Sequence, residues 1–558
     1  MENPWIGCGY HQWKLDVGKG GWFLGIPVHT CKLICVNLQG FGQASKTNSK
    51  RVTPYTLFYT GSTTKSFTAA AMSQLVDDNE RFPHVQWETP VSSLMRDDFV
   101  LSDGWATEHI TIRDAFSHRT GYAAHDFVAW PSPRAATRGL RYLPMSAEPR
   151  AKYMYSNQLV TAMGYLVTRL YYPDPIFRHF SGLLAYVFKE KLWQRMGMGL
   201  TYLATQLPAN PALYPAALAD ELWYHNDSDT YVAVPHSAHA GHEGAGMVIS
   251  CIADYAKYLR YMMSADQGPI SPAGKAAMKA PLMVINPSPS IFTGPLYYGM
   301  GWGGGVLEGE ELWFHNGQMR EHRTEMWMVP GREFGLVIMT NANTPAIEVV
   351  LWRILWDYFD VPEGRRVDMG KRFVSLATET FGGGVKMLMF TRRARDSATA
   401  HRRDLETCLD RLYPRSLRPL PRPLPLAAYS GTYANLGYGN ITISLQCGDE
   451  ARRNYPQETP AHPTVERGCL LRGSGPMEFE GKSFHVDFEH ATADYWVAWL
   501  FVDAFAPSGS GLTKRPQLCL RAQFRVGADG GVEAFGADFR QEGEEGPLVW
   551  YEKWKESN

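Results

Sequence analysis

Five prolines stand within the twelve residues of Pro414–Pro425 (PRSLRPLPRPLP). Proline has no backbone N–H and a fixed φ, so such a run cannot continue a helix or sit inside a sheet. The chain must therefore fold as one body before this run and another after it, joined by an extended segment. The approach to the run is basic, with nine arginines and four acidic residues in 391–422, and reads as a basic helix. Aromatic residues that would stack on bases are sparse there, so no nucleic acid partner is expected. The whole chain carries 55 Lys+Arg against 56 Asp+Glu, a net charge of −1. That leaves no long-range positive field to draw in nucleic acid or an anionic membrane.

The hydrophobic period differs on the two sides of the run. Before it, apolar residues recur at three-to-four spacing through 62–77, 157–170 and 252–263, which predicts helices. Thr111 and Asp114 form a capping-box pattern at the start of a short helix over 111–116. Leu312–His315, Thr324–Val329 and Phe334–Asn341 then read as an antiparallel meander, followed by a helix over 346–359. The first body is thus α+β, an antiparallel sheet flanked by helices. After Leu426 the period is two. Tyr429–Tyr433, Ile441–Ser444, Ala522–Val526, Val532–Phe535 and Leu548–Tyr551 predict strands, with Asp529-Gly530-Gly531 as a hairpin turn. A small all-β barrel is expected there. The expected division is 1–360, a linker over 361–425, and 426–558.

Trp22–Leu38 is fairly apolar but carries His29 and Lys32. It reads as a buried strand region rather than a membrane span. No secretory leader pattern opens the chain. The eight cysteines show no CxxC pair and no zinc-ligand spacing. They are expected to be free buried thiols of a protein in a reducing, cytoplasmic compartment. No cofactor, metal or membrane partner is expected, and the oligomeric state is not legible.

The chemistry concentrates at three places. Gly61-Ser62-Thr63-Thr64-Lys65 opens the alanine-rich helix, so Ser62 and Lys65 share a helix face one turn apart. A serine hydroxyl needs a neighbouring base to become a nucleophile, and a desolvated lysine can be that base. Tyr155-Ser156-Asn157 precedes a second helix, where the phenol could shuttle a proton and Asn157 could hold Lys65 or a substrate carbonyl. His315-Asn316-Gly317 ends a strand, and the N–H of Gln318 could join that of Ser62 in an oxyanion hole. His315 could assist proton transfer or orient the tyrosine. Structural roles compete: Ser62 as a helix cap, Tyr155 as a packed phenol, His315 as a strand histidine, His118 as a turn stabiliser. His236, His239 and His242 invite a metal, but Pro235 and Gly241 favour a loop near the substrate pocket. Tyr433-Ala434-Asn435 and Tyr438-Gly439-Asn440 repeat the tyrosine–asparagine spacing and are assigned to a turn of the barrel.

Ser62–Lys65, Tyr155–Asn157 and His315–Gly317, in that order, resemble the serine β-lactamase and penicillin-binding-protein superfamily, most of all its class C-like branch of esterases, D-aminopeptidases and transesterases. Pro54–Phe58, Thr111–Gly121, Gly244–Ser250 and Tyr298–Gly303 also resemble segments of that family. The resemblance covers about residues 35–355, and the part after Leu426 resembles the lipocalin-like domain that often follows. It implies a helical subdomain beside the sheet. It also implies Ser62 as acylated nucleophile, Lys65 and Tyr155 as acid/base pair, Asn157, His315 and Gly317 on the substrate side, and the N–H groups of Ser62 and Gln318 as oxyanion donors. The small-molecule substrate would be an ester or amide. Alternatives on the same scaffold are a transesterase or acyltransferase, a D-amino-acid-type peptidase, and a catalytically silent binding protein. His315 stands where penicillin-targeting members carry lysine, which speaks against β-lactamase action. The family's two strands ahead of Pro54 must fit within Gly25–Ala44, so one is expected to be truncated.

Overall fold

The computed structural model describes residues 22–26, 36–376 (except 47, 129, 208–214, 226–229, 237–239, 267, 288 and 290), 408–413, and 420–554 (except 448–468, 480–481, 503–517 and 541–545). Its open sheet has eight antiparallel strands: β1 (Trp22–Ile26), β2 (Asn37–Phe41), β3 (Met283–Asn286), β4 (Leu296–Tyr298), β5 (Gly303–Leu307), β6 (Glu310–Met319), β7 (His322–Val329) and β8 (Phe334–Thr340). They lie in the order β2-β1-β8-β7-β6-β5-β4-β3. The predicted meander is β6-β7-β8. Both early strands are present, and the first begins upstream of the expected window. Trp22 pairs with Phe41 and Ile26 with Asn37, while β1 also pairs with β8. β2 lies at the sheet edge, with Asn37 and Leu38 half-buried and Gln39 and Gly40 exposed; residues 27–35 of the expected strand region lie outside the described residues.

Alternation along the meander splits the core in two. Met326 and Met328 of β7 join Trp313, Val337 and Met339 on one face, in the cluster that holds helices α1 (Thr64–Asp77), α2 (Ile112–Phe116), α3 (Asn157–Tyr171) and α4 (Ile252–Met263). Trp327 and Val329 point the other way, with Leu336 and Ile338, against Ile347, Leu351 and Leu355 of α5 (Ala346–Tyr358). Helix α1 is buried nearly all round, as its run of small residues permits. The predicted box at α2 is made: Thr111 Oγ1 accepts the N–H of Asp114, and the Asp114 carboxylate accepts the N–H of Thr111.

The C-terminal strands close into a barrel of eight: β9 (Gly431–Asn435), β10 (Gly439–Cys447), β11 (Cys469–Phe479), β12 (Lys482–Thr492), β13 (Tyr495–Val502), β14 (Leu518–Val526), β15 (Val532–Ala537) and β16 (Val549–Lys553). Strand β9 meets β16 at Tyr433 and Lys553. The basic helix and extended segment expected within 391–425 lie largely outside the described residues; 408–412 are helical.

Four cysteines correct the sequence reading, Cys251 follows it, and Cys8, Cys31 and Cys35 lie outside the described residues. Cys408 is bonded to Cys519, and Cys447 to Cys469; Cys251 is a buried free thiol. Cys447 and Cys469 are cross-strand partners between β10 and β11, a neighbourhood set by barrel register and invisible as a spacing motif. Disulfides persist in oxidising surroundings, so the cysteines do not support a reducing compartment. Among the described residues no helix is long and apolar enough to cross a membrane.

Candidate active site

Ser62 lies in the 3-10 turn Gly61–Thr63 that feeds α1. Ser62 does not stand at a cap position, which Thr60 and Thr63 occupy. Instead Ser62 Oγ sits 2.9 Å from Lys65 Nζ and accepts a hydrogen bond of 2.7 Å from Tyr155 OH. Ser62 is half-buried, whereas Lys65 is 0% exposed. A nucleophile within reach of solvent thus rests on a base shielded from it.

Lys65 Nζ also donates to Asn157 Oδ1 at 2.6 Å and to the Ala245 carbonyl at 2.8 Å. With Ser62 Oγ these make three acceptors, enough for all three hydrogens of an ammonium. Once neutral, the amine keeps two donors for Asn157 and Ala245 and turns its lone pair to the Ser62 hydroxyl. Its ring-side neighbour is Tyr155, whose centroid is 4.7 Å from Nζ. Burial lowers the Lys65 pKa to about 7, against the opposing pull of the Asp126 carboxylate. Burial raises Asp126 to about 6, opposed by its bond from Asn157 and by Lys65. The same desolvation lifts the Tyr155 phenol well above its ordinary value. The phenol is therefore a proton donor at neutral pH, and Lys65 is the group free to lose a proton there.

The strand that carries His315–Gln318 meets the serine turn backbone to backbone. Gly61 has φ 53°, and a Cβ there would stand 2.4 Å from Gln318 N. A Cβ on Gly317 would stand 1.9 Å from the Thr60 carbonyl oxygen and 3.0 Å from Ser62 N. Only glycine fits either place. The backbone nitrogens of Ser62 and Gln318 thereby share one seam beside the hydroxyl.

His315 departs from its expected partner. Its Nε2 pairs with Tyr298 OH at 2.8 Å and its Nδ1 with the Asn316 carbonyl at 2.5 Å, rather than with Tyr155. Burial, then Lys65, holds His315 near 3, so it is a neutral imidazole. His118 stabilises its turn as expected, with φ 56° and Nδ1 accepting the Ser156 N–H at 3.1 Å. It does more: its ring packs 4.3 Å from that of Tyr155 and 4.9 Å from Tyr298. Burial, then Lys65 and His315, holds it well below the usual imidazole range.

The sequence reading missed Asp126, whose Oδ1 accepts from Asn157 Nδ2 at 2.9 Å. No motif announced it. Tyr298 and Ala245 belonged to quoted segments, but their roles as partner of His315 and of Lys65 depend on chain crossings. Of the histidine triplet, His236 Nδ1 pairs with Glu221 at 3.1 Å, and His239 lies outside the described residues. Among the described residues no cluster of three or more His, Cys, Asp or Glu could hold a metal.

The beta-lactamase family model matches residues 35–358. A curated relative, the unguisins hydrolase of Aspergillus campestris, is 34% identical over 418 residues, 73% of this chain and 71% of the relative. The unguisins hydrolase of Aspergillus violaceofuscus is 31% identical over 494 residues, 83% of this chain and 78% of the relative. Among solved structures, an octameric penicillin-binding protein homologue from Pyrococcus abyssi aligns over 96% of both chains with a TM-score of 0.50 and 14% identity, a likeness of fold.

Proposed function

The chain belongs to the beta-lactamase family and is a serine hydrolase, and on that premise we propose that it cleaves a small-molecule ester or amide through an acyl-enzyme on Ser62. The observation that supports this reading is the convergence of Lys65 Nζ and Tyr155 OH, at 2.9 and 2.7 Å, on the hydroxyl oxygen of half-buried Ser62. Neutral Lys65 takes the Ser62 proton as Oγ attacks the carbonyl carbon. The N–H groups of Ser62 and Gln318 hold the oxyanion of the tetrahedral intermediate. When the carbonyl–leaving-group bond breaks, Tyr155 gives its proton to the leaving atom and recovers one from the Lys65 ammonium. Water then attacks the Ser62 ester with the same pair acting in reverse. His315, as a neutral imidazole on Tyr298, lines the substrate side.

The names of the two Aspergillus relatives favour water over an alcohol or amine as acyl acceptor. They also favour a substrate like the unguisins that those proteins hydrolyse. The test is turnover of a p-nitrophenyl ester by the wild type and Ser62→Ala, with intact mass after a brief incubation. Loss of turnover in Ser62→Ala and an acyl increment on the wild type alone are expected. Equal turnover by both proteins would overturn the reading.

A further inference from the structure

The barrel meets the catalytic half of the molecule on either side of Asp126, at His125 and Phe127, and again at Ser146. His125 Nδ1 lies 2.7 Å from Tyr438 OH, at the β9–β10 hairpin, and His125 Nε2 lies 3.0 Å from the Pro144 carbonyl. The Phe127 ring packs edge-on against barrel Phe484 and Phe539, at 5.4 and 6.4 Å. Between them, Asp126 reaches Asn157, and the His125 carbonyl accepts from Gln158 Nε2 at 2.9 Å. His125 itself is left-handed, with φ 48°, a conformation that persists only where neighbours hold it.

The hydrogens of this brace can be assigned from its acceptors. A carbonyl only accepts, so Nε2 of His125 carries the proton and Nδ1 is the acceptor. Tyr438 must then donate to it. The hairpin that presents Tyr438 is itself rigid: Asn435 Oδ1 accepts the N–H groups of Gly437 and Tyr438, each at 2.8 Å. Arg540 ties the barrel to Ser146 at 2.6 Å and pairs with Asp538 at 2.8 Å. Around the brace the charged groups are thus Arg540 and Asp538 on the barrel side and Asp126 and Lys65 on the other.

We propose that Tyr438 is a positioning residue for acyl transfer: through His125 it holds the turn that aims Asp126 at Asn157, and so sets the amide that seats Lys65. The C-terminal barrel then completes the site rather than trailing behind it. The inference rests on the Ser62 acyl-enzyme reading.

The test uses the full chain with a p-nitrophenyl ester between pH 5 and 9, comparing Tyr438→Phe, Asp126→Asn, the double variant and Ser62→Ala. Phenylalanine keeps the packing and leaves His125 Nδ1 without its donor. Tyr438→Phe should lower kcat by roughly tenfold to a hundredfold with KM nearly unchanged, as for a small misplacement of a catalytic group. Its acid limb should move to lower pH, as in Asp126→Asn, because both withdraw the carboxylate that favours the Lys65 ammonium. The double variant should match Asp126→Asn alone, since both act on one path. A Tyr438→Phe profile that superimposes on the wild type, or losses that multiply in the double variant, would overturn the inference while leaving Ser62 chemistry intact. Activity in Ser62→Ala would instead defeat the underlying reading. If Tyr438→Phe does not fold, Phe127→Leu loosens the same turn from its other side and must show the same displacement of the acid limb.

Discussion

Lys65 and Asp126 are joined through a single amide: Asn157 accepts from the lysine at 2.6 Å and donates to the aspartate at 2.9 Å. The carboxylate thus supports the ammonium without touching it. A direct ion pair would have held Lys65 protonated; burial without any carboxylate would have driven it further down. The interposed amide leaves the lysine poised near neutrality, where a base can both take and return a proton.

The first prediction concerns pH. Lys65 is lowered from 10.5 to about 7, and only its neutral form accepts the Ser62 proton. The rate constant kcat/KM should therefore fall about tenfold per pH unit below 7 and level off above it. Initial rates across pH 5–9 check this, and a flat profile from 5 to 8 contradicts it. The sign for stability follows separately. Between about 7 and 10.5 the unfolded chain holds a proton on this lysine that the folded chain lacks, so this group's contribution makes stability rise with pH through that window. Below it the burial penalty is fully present.

Tyr155→Phe removes the proton donor to Ser62 while keeping the ring that packs against His118 at 4.3 Å. Activity should fall by about 10²–10⁴ with the melting temperature little changed. Steady-state kinetics and a thermal melt read the two quantities; retained activity would remove Tyr155 from the mechanism.

Gly61→Ala places a methyl group 2.4 Å from Gln318 N at a φ of 53°. The strand must then back away from the serine turn. A destabilisation of roughly 1–3 kcal/mol is expected, together with loss of turnover, because the Ser62 and Gln318 nitrogens separate. Urea unfolding and ester hydrolysis on the same sample test both effects, and a stable, active variant would show that the seam tolerates a gap.

The bond between Cys447 and Cys469 spans a sequence separation of 22. By loop-closure entropy its removal in Cys447→Ser should cost about 3 kcal/mol. A denaturant titration with and without reductant measures it. No change on reduction would mean that the two thiols are not joined in solution.

The elements and the site were legible to different depths. Helix α4 announced itself through apolar period, because one buried face is enough to impose it, while α1, α3 and the meander, buried nearly all round, were legible from continuous runs of small or apolar residues. Ser62 and Lys65 were legible as a pair because helical spacing alone puts them together. Tyr155 and Asn157 could be named only from motif order, and their place beside Ser62 spans 93 positions of chain for the Tyr155 bond. Asp126 had no such signal, and Tyr438 stood out only in a tyrosine–asparagine repeat assigned to a barrel turn. Their contacts, one with Asn157 and one with His125 across 313 positions, arise where independent elements pack.

What the amino-acid order determined by itself was therefore local. It set the helix that aligns a hydroxyl with an amine, the strand alternation, and the change from helical to two-residue period along the chain. The tertiary structure alone decided the rest: that Lys65 is buried and near neutral, that His315 turns to Tyr298, that four cysteines are paired, and that the barrel reaches the catalytic turn. Backbone geometry acts over a few residues and is written in spacing. Desolvation and contact between distant segments depend on the whole packing arrangement, and no local pattern encodes them.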